Sequence, residues 1–217
     1  MPDDSRVDNI LKILNGEYEA KIALRYDTVF QLLVATILSA RTTDNQVNKV
    51  TPGLFKKFKT PEDFVEADLS EIEKEIDTIG LYKSKAKYLK KTAKKIIEDF
   101  DGEVPDTMGD LTKLHGVARK TANVVLTSGF DKKEGIVVDT HVRRLSKRLG
   151  FTENKKPEKI EQDLMEIIPK KRWGKFSLQL IKHGRKVCKA RKPLCFKCPI
   201  KDYCPYEPKT KKSEVEK

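Results

Sequence analysis

Apolar side chains recur at helical spacing along nearly the whole chain. Residues 7–14 carry them three and four positions apart, on one face of a first helix. The stretch 30–38 is apolar almost all round, which predicts a buried central helix that starts after an N-cap at Asp27. Further helices are predicted over residues 44–58, 61–67, 70–77, 84–100, 106–113, 120–129, 140–149, 157–168 and 171–187.

The same pattern argues against a sheet. The sequence has no run of alternating apolar and polar residues joined by an Asn-Gly turn. Residues 136–138 can be extended, but three residues do not define a sheet. The predicted fold class is therefore all-α.

One motif occurs twice between predicted helices. Residues 79–86 and 115–122 both contain a glycine, an apolar residue, a basic residue two positions later and an alanine three further on. Two helix–turn–helix units with glycine in the turn would produce this echo, although a match this short also arises by coincidence.

The charge balance of the chain indicates what kind of partner it binds. The chain of 217 residues has 45 Lys and Arg against 33 Asp and Glu, a formal net charge of +12. Such an excess favours a polyanionic partner, of which nucleic acid is the default. The alternative is a lysine-rich surface that serves solubility or heat tolerance. Residues 208–217 are polar and predicted to be disordered.

The cysteines carry the strongest chemical signal. All of them lie within 17 positions, spaced C-x6-C-x2-C-x5-C, at Cys188, Cys195, Cys198 and Cys204. Disulfides are disfavoured, because no signal peptide or membrane span is apparent and we expect a reducing, intracellular setting. Structural zinc usually has two C-x2-C pairs, whereas the uneven gaps here favour a larger [4Fe–4S] cube. Spacing alone leaves zinc and iron–sulfur both open.

Two further positions suggest chemistry on a polyanion. Lys120 falls in the first turn of a helix after the Gly116 turn, where unpaired N–H groups suit a phosphate and the helix dipole favours a neutral, nucleophilic amine. Asp139 follows an apolar run and precedes the helix over 140–149, so it reads as an N-cap or a rigidly held catalytic carboxylate. An ordinary turn, a solvated lysine and a plain cap explain the same residues.

Taken together, these motifs resemble the endonuclease III family of DNA glycosylases. Residues 114–126 resemble its helix–hairpin–helix signature, residues 138–142 its aspartate segment, and the cysteine spacing its [4Fe–4S] loop. Residues 79–82 and 38–40 match its DNA-facing loops. The similarity runs in the same order from about residue 25 to about residue 206.

The resemblance implies a bifunctional enzyme of base excision repair. Lys120 would displace a damaged, oxidised pyrimidine and form a Schiff base at C1′, after which β-elimination cuts the strand; Asp139 would assist. The four cysteines would hold a [4Fe–4S] cluster. The partner would be double-stranded DNA with damaged bases or abasic sites, contacted through Arg41, Leu81, Gly116, Ala118, Arg119, Arg143, Lys189, Arg191 and Lys192.

The resemblance also implies an architecture and a setting. Residues 26–134 would form a central helical domain with the hairpin, and residues 1–25 with 135–207 an iron–sulfur domain. The lesion pocket would lie between Lys120 and Asp139. We expect a monomer in the cytoplasm of a prokaryotic or archaeal cell, associated with the nucleoid and not with a membrane.

Three departures from the family pattern keep alternatives open. His115 replaces the usual proline, Ala118 a second glycine, and Arg41 a glutamine that fills the gap left by the flipped base. Residues 41–43 resemble mismatch-specific thymine/uracil glycosylases, whose members typically lack a lysine at the position of Lys120. The alternatives are therefore a monofunctional mismatch or adenine glycosylase, or a DNA-binding module without catalysis.

Overall fold

The computed structural model describes residues 3–215, and the regular structure within that range is entirely helical. This confirms the all-α prediction. We number the α-helices in chain order: α1 Asp4–Glu17, α2 Val29–Ser39, α3 Asp44–Lys57, α4 Pro61–Glu66, α5 Leu69–Glu75, α6 Tyr82–Phe100, α7 Met108–Leu111, α8 Arg119–Gly129, α9 Thr140–Arg148, α10 Pro157–Ile167 and α11 Trp173–Lys186. Short 3-10 turns lie at Lys170–Arg172, Cys195–Lys197, Lys201–Tyr203 and Lys212–Glu214.

Two predicted helix starts differ from the structure for local reasons. The N-cap of α2 is Thr28 rather than Asp27, since the Thr28 hydroxyl accepts the N–H of Gln31 at 3.2 Å. The helix predicted over 106–113 is only α7, because Thr107 caps it by accepting the N–H of Asp110 at 3.1 Å. In each case the cap is the threonine that directly follows the aspartate at which the predicted start was placed.

By contact, the chain divides into two compact units. The central unit spans Ile22–Glu134, and the second unit consists of the chain up to Lys21 and from Gly135 onward. The predicted disorder of residues 208–217 stays a prediction, and its last two residues lie outside those described. Among the described helices, none is both long and apolar enough to span a membrane.

The central unit is built around α2. Every residue from Phe30 to Leu38 is buried, as its all-round apolar pattern predicts. Helices α3, α6 and α8 pack against α2, while α4 and α5 pack against α6. The resulting core holds α6 in place, and α6 begins directly after the Leu81 turn described below.

The second unit joins the two ends of the chain. The apolar face of α1 is buried and packs against α11, and α9 packs against both α10 and α11. Trp173 and Phe176 of α11 lie in this core, with the Trp173 indole N–H donating to the carbonyl of Ile168 at 2.7 Å. The cysteine loop follows directly from α11.

Candidate active site and metal centre

The hairpin between α7 and α8 is a tight turn that requires glycine. The N–H of Val117 donates to the carbonyl of Leu114 at 3.3 Å, and Gly116 has φ +75°. A Cβ at Gly116 would lie only 3.1 Å from Cδ2 of Tyr88. Both the left-handed backbone and this contact therefore exclude an unstrained side chain.

Ala118 is not strained by the loss of a second glycine. Its φ is −83°, in the extended region that any residue adopts. Ala118 is the N-cap of α8 and has no side-chain oxygen with which to cap it. The start of α8 is therefore suited to accept a phosphate oxygen in place of that cap.

Lys120 is the second residue of α8 and is exposed, as is its neighbour Arg119. Ala122, Val125 and Leu126 on the same helix are buried in the central core. The lysine thus stands on a rigid base beside the glycine turn.

Asp139 is the N-cap of α9, which bears out the simpler of its two predicted roles. One oxygen of its carboxylate accepts the N–H groups of His141 and Val142, both at 2.8 Å. The side chain is half-buried and follows the buried residues Ile136 and Val137. A carboxylate held by two backbone donors has a fixed direction, and its second oxygen is the one available for another partner. Lys120 belongs to the central unit and Asp139 to the second.

Arg41 and Leu81 share an unusual backbone. Both have positive φ, 55° and 62°, which costs about 1–2 kcal/mol in a residue with a side chain. Both are exposed, and Leu81 is 61% exposed, the most accessible large apolar side chain among the described residues. An apolar residue so presented, at the start of α6, is suited to wedge between stacked bases.

The repeated glycine motif adopts two different turns. Gly116 itself takes the left-handed conformation, whereas in the first copy Leu81 takes it and Gly80 does not. Glycine does lie in both turns, as predicted. The residue that reverses the chain direction differs between them.

Two arginines of α9 have structural partners that the sequence did not reveal. Arg144 donates to the carbonyls of Gly184 and Cys188 at 3.2 and 2.9 Å. Arg148 donates to the sulfur of Cys188 at 3.2 Å and to the carbonyl of Lys189 at 2.8 Å. The sequence signal for this shared role is that Arg144 and Arg148 lie four positions apart, which places them on one face of α9. Arg143, which immediately precedes Arg144, is exposed.

The structure brings the four cysteines together. Cys188, Cys195, Cys198 and Cys204 all line one cavity whose other walls are largely apolar. Burial raises the pKa of the Cys198 thiol to about 11, and it also raises the pKa of Cys204. Buried thiols need a cationic partner to ionise, and a metal centre provides one. Within residues 3–215, no three histidine, cysteine or carboxylate side chains converge as ligands of a single metal ion.

The donor set fits an iron–sulfur cluster. Its ligands are four thiolates facing one space, and an arginine hydrogen-bonds to one of the sulfurs, as is common around such clusters. Lys209 closes the far side of the loop by donating to the carbonyls of Cys204 and Tyr206 at 2.8 and 2.7 Å.

The loop between Cys188 and Cys195 is a basic surface. Lys189, Arg191 and Lys192 are all exposed, and Lys192 has φ 47°. Three cations on so short a segment suit a polyanionic backbone.

Comparison with known proteins gives consistent matches over nearly the whole chain. The family model of the HhH-GPD superfamily base excision DNA repair protein matches residues 34–170, and that of the iron-sulfur binding domain of endonuclease III matches residues 188–204. Endonuclease III from Synechocystis sp. is 51% identical over 201 residues, covering 92% of each chain.

Comparison with solved structures gives matches of the same kind. A trapped covalent intermediate of endonuclease III with DNA superposes with a TM-score of 0.88 at 41% identity, covering 94% of this chain and 97% of the other. A thermostable thymine-DNA glycosylase superposes with a TM-score of 0.82 at 30% identity, covering 92% and 94%.

Proposed function

The chain belongs to the endonuclease III family of the HhH-GPD superfamily of base excision DNA repair proteins, and on this premise we propose that Lys120 carries its covalent chemistry. The protein is a bifunctional DNA glycosylase and abasic-site lyase that acts on duplex DNA. The observation that supports Lys120 is its place on α8, exposed and two residues after the uncapped start of the helix.

The proposed reaction has two stages. The neutral amine of Lys120 attacks C1′ of the damaged nucleotide; the N-glycosidic bond breaks, and the base leaves with the bonding electrons and takes up a proton. The attached amine then gives up a proton as the C1′–O4′ bond breaks and O4′ takes a proton up, which opens the sugar ring and leaves a Schiff base between Lys120 and C1′. Loss of a proton from C2′ expels the 3′ phosphate by β-elimination, and water then releases the lysine.

Asp139 assists the first stage in this proposal. Its fixed carboxylate either receives the proton that Lys120 gives up or stabilises the positive charge that develops on the sugar. The two hydrogen bonds from His141 and Val142 hold it in one orientation without a rearrangement during the reaction.

The protein carries a [4Fe–4S] cluster, and we propose that the four cysteines are its ligands. We propose that Lys189, Arg191 and Lys192 contact the DNA backbone, and that a cluster bound by the cysteines would order the loop that carries them without taking part in base excision. Purified protein should show visible absorbance with iron and sulfide in about four equivalents each, as a [4Fe–4S] composition requires. A colourless protein with one zinc would contradict this assignment.

Borohydride trapping tests the catalytic assignment. Reduction of the Schiff base should join the protein covalently to lesion DNA, and Lys120→Gln should abolish both the adduct and strand cleavage. Lys94→Gln is the matched control, since it removes an exposed lysine of α6 that is not among the predicted site residues and should leave the adduct in place. An adduct that persists in Lys120→Gln would remove Lys120 from the mechanism.

We propose oxidised pyrimidines as the substrate, with thymine or uracil in mismatches as the second candidate. Arg41 favours the second, as does the likeness to a thymine-DNA glycosylase at 30% identity. Oligonucleotides with thymine glycol, uracil, a T·G pair or an abasic site distinguish the two. Base release from T·G without strand nicking would favour the second candidate.

The oligomeric state and the cellular location of the protein follow from its substrate and its charge. We propose that a monomer acts on nucleoid DNA in the cytoplasm, because its substrate is genomic DNA and its formal charge is +12. A fluorescent fusion should coincide with the stained nucleoid; a fusion excluded from that region would contradict the proposal.

A further inference from the structure

Lys85 is a buried cation with oxygen partners only from the backbone and a hydroxyl. It is 3% exposed, and its Nζ donates to the carbonyls of Leu38 and Ala40 at 2.8 and 2.7 Å and to the hydroxyl of Thr42 at 3.0 Å. Burial lowers the pKa of this lysine. A lysine is seldom placed so deeply unless its ammonium does something specific.

The ammonium caps the C-terminal end of α2. The last carbonyls of a helix lack partners within it, and here each has another. Thr36 and Ile37 receive the Ser39 hydroxyl and the Ala40 N–H at 2.8 and 3.3 Å. Leu38 and Ala40 receive Lys85. The negative end of the helix dipole supplies the countercharge.

Lys85 also stands on the first turn of α6, next to Leu81. Its own N–H donates to the carbonyl of Leu81 at 3.1 Å. A Cβ built on Gly80 would lie 3.7 Å from the carbonyl oxygen of Arg41, so the two segments are in contact. Lys85 therefore connects the loop of Arg41 to the helix that begins just after Leu81, and both of these exposed residues have left-handed backbones.

The same face of α6 supports the hairpin. Tyr88 packs against Gly116, and the hydroxyl of Thr92 donates to the carbonyl of His115 at 2.7 Å. Residues 85, 88 and 92 are spaced three and four apart, so they share one face of the helix. Lys85 thus connects α6 to the segment around Arg41, and Thr92 connects α6 to the hairpin.

We propose that Lys85 is a positioning residue, which fixes Arg41 and Leu81 relative to each other so that both enter the duplex when the base is extruded. This rests on the proposed function. A left-handed residue with a side chain persists only where its surroundings hold it. The Lys85 ammonium bonds to the residues on either side of Arg41, and Lys85 itself lies one turn after Leu81 on α6. Without these contacts, the chemistry at Lys120 remains possible, but the flipped state is formed less often.

The first test separates extrusion from chemistry. Lys85→Met keeps an unbranched side chain, one atom shorter, and removes the donors. Single-turnover excision from lesion duplex should fall on the order of 10- to 100-fold, the loss that small misplacements cause. Cleavage of an abasic site in a single strand, which leaves no gap to fill, should change less than about threefold on the same reasoning. Equal losses on both substrates would overturn the proposal, as would unchanged excision.

Thr92→Val is the matched comparison. It also removes a buried donor from α6, but it releases the hairpin. Duplex affinity, measured by fluorescence anisotropy, should weaken in Thr92→Val and remain near wild type in Lys85→Met. If Lys85→Met weakens duplex affinity and Thr92→Val does not, Lys85 serves binding to the DNA backbone and not base extrusion, and the proposal is wrong.

A double-mutant cycle asks whether Lys85 acts through the loops. In an Arg41→Ala, Leu81→Ala background, Lys85→Met should change excision by less than about twofold, since little remains to position. The same fold loss as in wild type would show a role in general stability and overturn the proposal. A wild-type protein that forms no borohydride adduct is a different result, because it overturns the proposed function.

A second variant covers the case in which Lys85→Met does not fold. Thr42→Val removes one of the three acceptors and leaves the ammonium in place. It should show the same selective loss on duplex, at a smaller factor. Excision equal to wild type in this folded variant would overturn the proposal.

Discussion

The two roles assigned to Asp139 can be separated with two substitutions. Asp139→Asn keeps an oxygen that accepts the N–H groups of His141 and Val142 but removes the charge. Asp139→Ala removes both the cap and the charge. Asparagine caps helices about as well as aspartate, so the two variants differ mainly in stability and share the loss of the carboxylate.

The stability change follows from the cap. Loss of an N-cap side chain costs about 1 kcal/mol, within a range of roughly 0.5–2. Loss of the charge at the positive end of α9 adds about 0.3–1 kcal/mol. In a chain of this size each kcal/mol lowers the melting temperature by roughly 2–4 °C. Asp139→Ala should therefore melt about 3–8 °C below wild type, and Asp139→Asn about 1–4 °C below it.

The activity change should follow the charge instead. A carboxylate that transfers a proton or stabilises a developing cation contributes about 100-fold or more. Both variants should therefore lose that factor in single-turnover excision, although only Asp139→Ala loses the cap. Thermal melts followed by circular dichroism, with excision assays on the same samples, measure both quantities.

The control is a cap outside the proposed site. Thr60 caps α4, a helix that carries no predicted site residue. Thr60→Ala should lower the melting temperature by a similar amount and leave excision unchanged. If Asp139→Asn excises the base within tenfold of wild type, Asp139 is only a cap, and the proposed catalytic role is wrong.

Three further predictions address the hairpin, the basic loop and the alkaline range. Gly116→Ala should lower stability by about 1–2 kcal/mol and weaken duplex binding, whereas Gly109→Ala, whose Cβ would meet nothing closer than 4.0 Å, should do neither; equal melting temperatures and affinities would contradict this. Arg191→Gln with Lys192→Gln should reduce the salt slope of log K by about 0.9 for each phosphate that the loop no longer neutralises, and an unchanged slope would place the loop off the DNA. Burial raises the pKa of Tyr18 to about 12, whereas an unfolded tyrosine ionises near 10. The free energy of unfolding should therefore fall between pH 10 and pH 12. Urea titrations measure this fall, which should be smaller in Tyr18→Phe.

The sequence predicts most of the helical framework because the signal is local. Apolar spacing locates the buried α2 and the inward face of α1, and both predictions are confirmed. The cap at Asp139 is confirmed for the same reason, since a carboxylate before a helix needs only its own two N–H groups. The alanine at position 118 also proves unstrained.

What the sequence does not reveal depends on distant partners. Lysines usually lie at the surface, so nothing local marks Lys85 as buried. The same holds for Arg148, whose acceptors are forty positions away in the cysteine loop. The left-handed backbone of Leu81 is set by tertiary packing, because its neighbour Gly80 is the residue that local propensity favours for it. The catalytic role of Lys120 came from the family resemblance and stays a prediction.

The discontinuous second unit implies an order of assembly during synthesis. The central unit Ile22–Glu134 is complete on the ribosome before α9 to α11 exist. At 5–20 residues per second, the apolar face of α1 therefore waits roughly 10–30 s for its partner α11. The cysteine loop is synthesised after the central unit, so the cluster can be installed only on a chain whose central unit has already been made. A ribosome that stalls before α11 would release a folded DNA-binding hairpin with an exposed apolar helix, a species that chaperones and proteases should recognise.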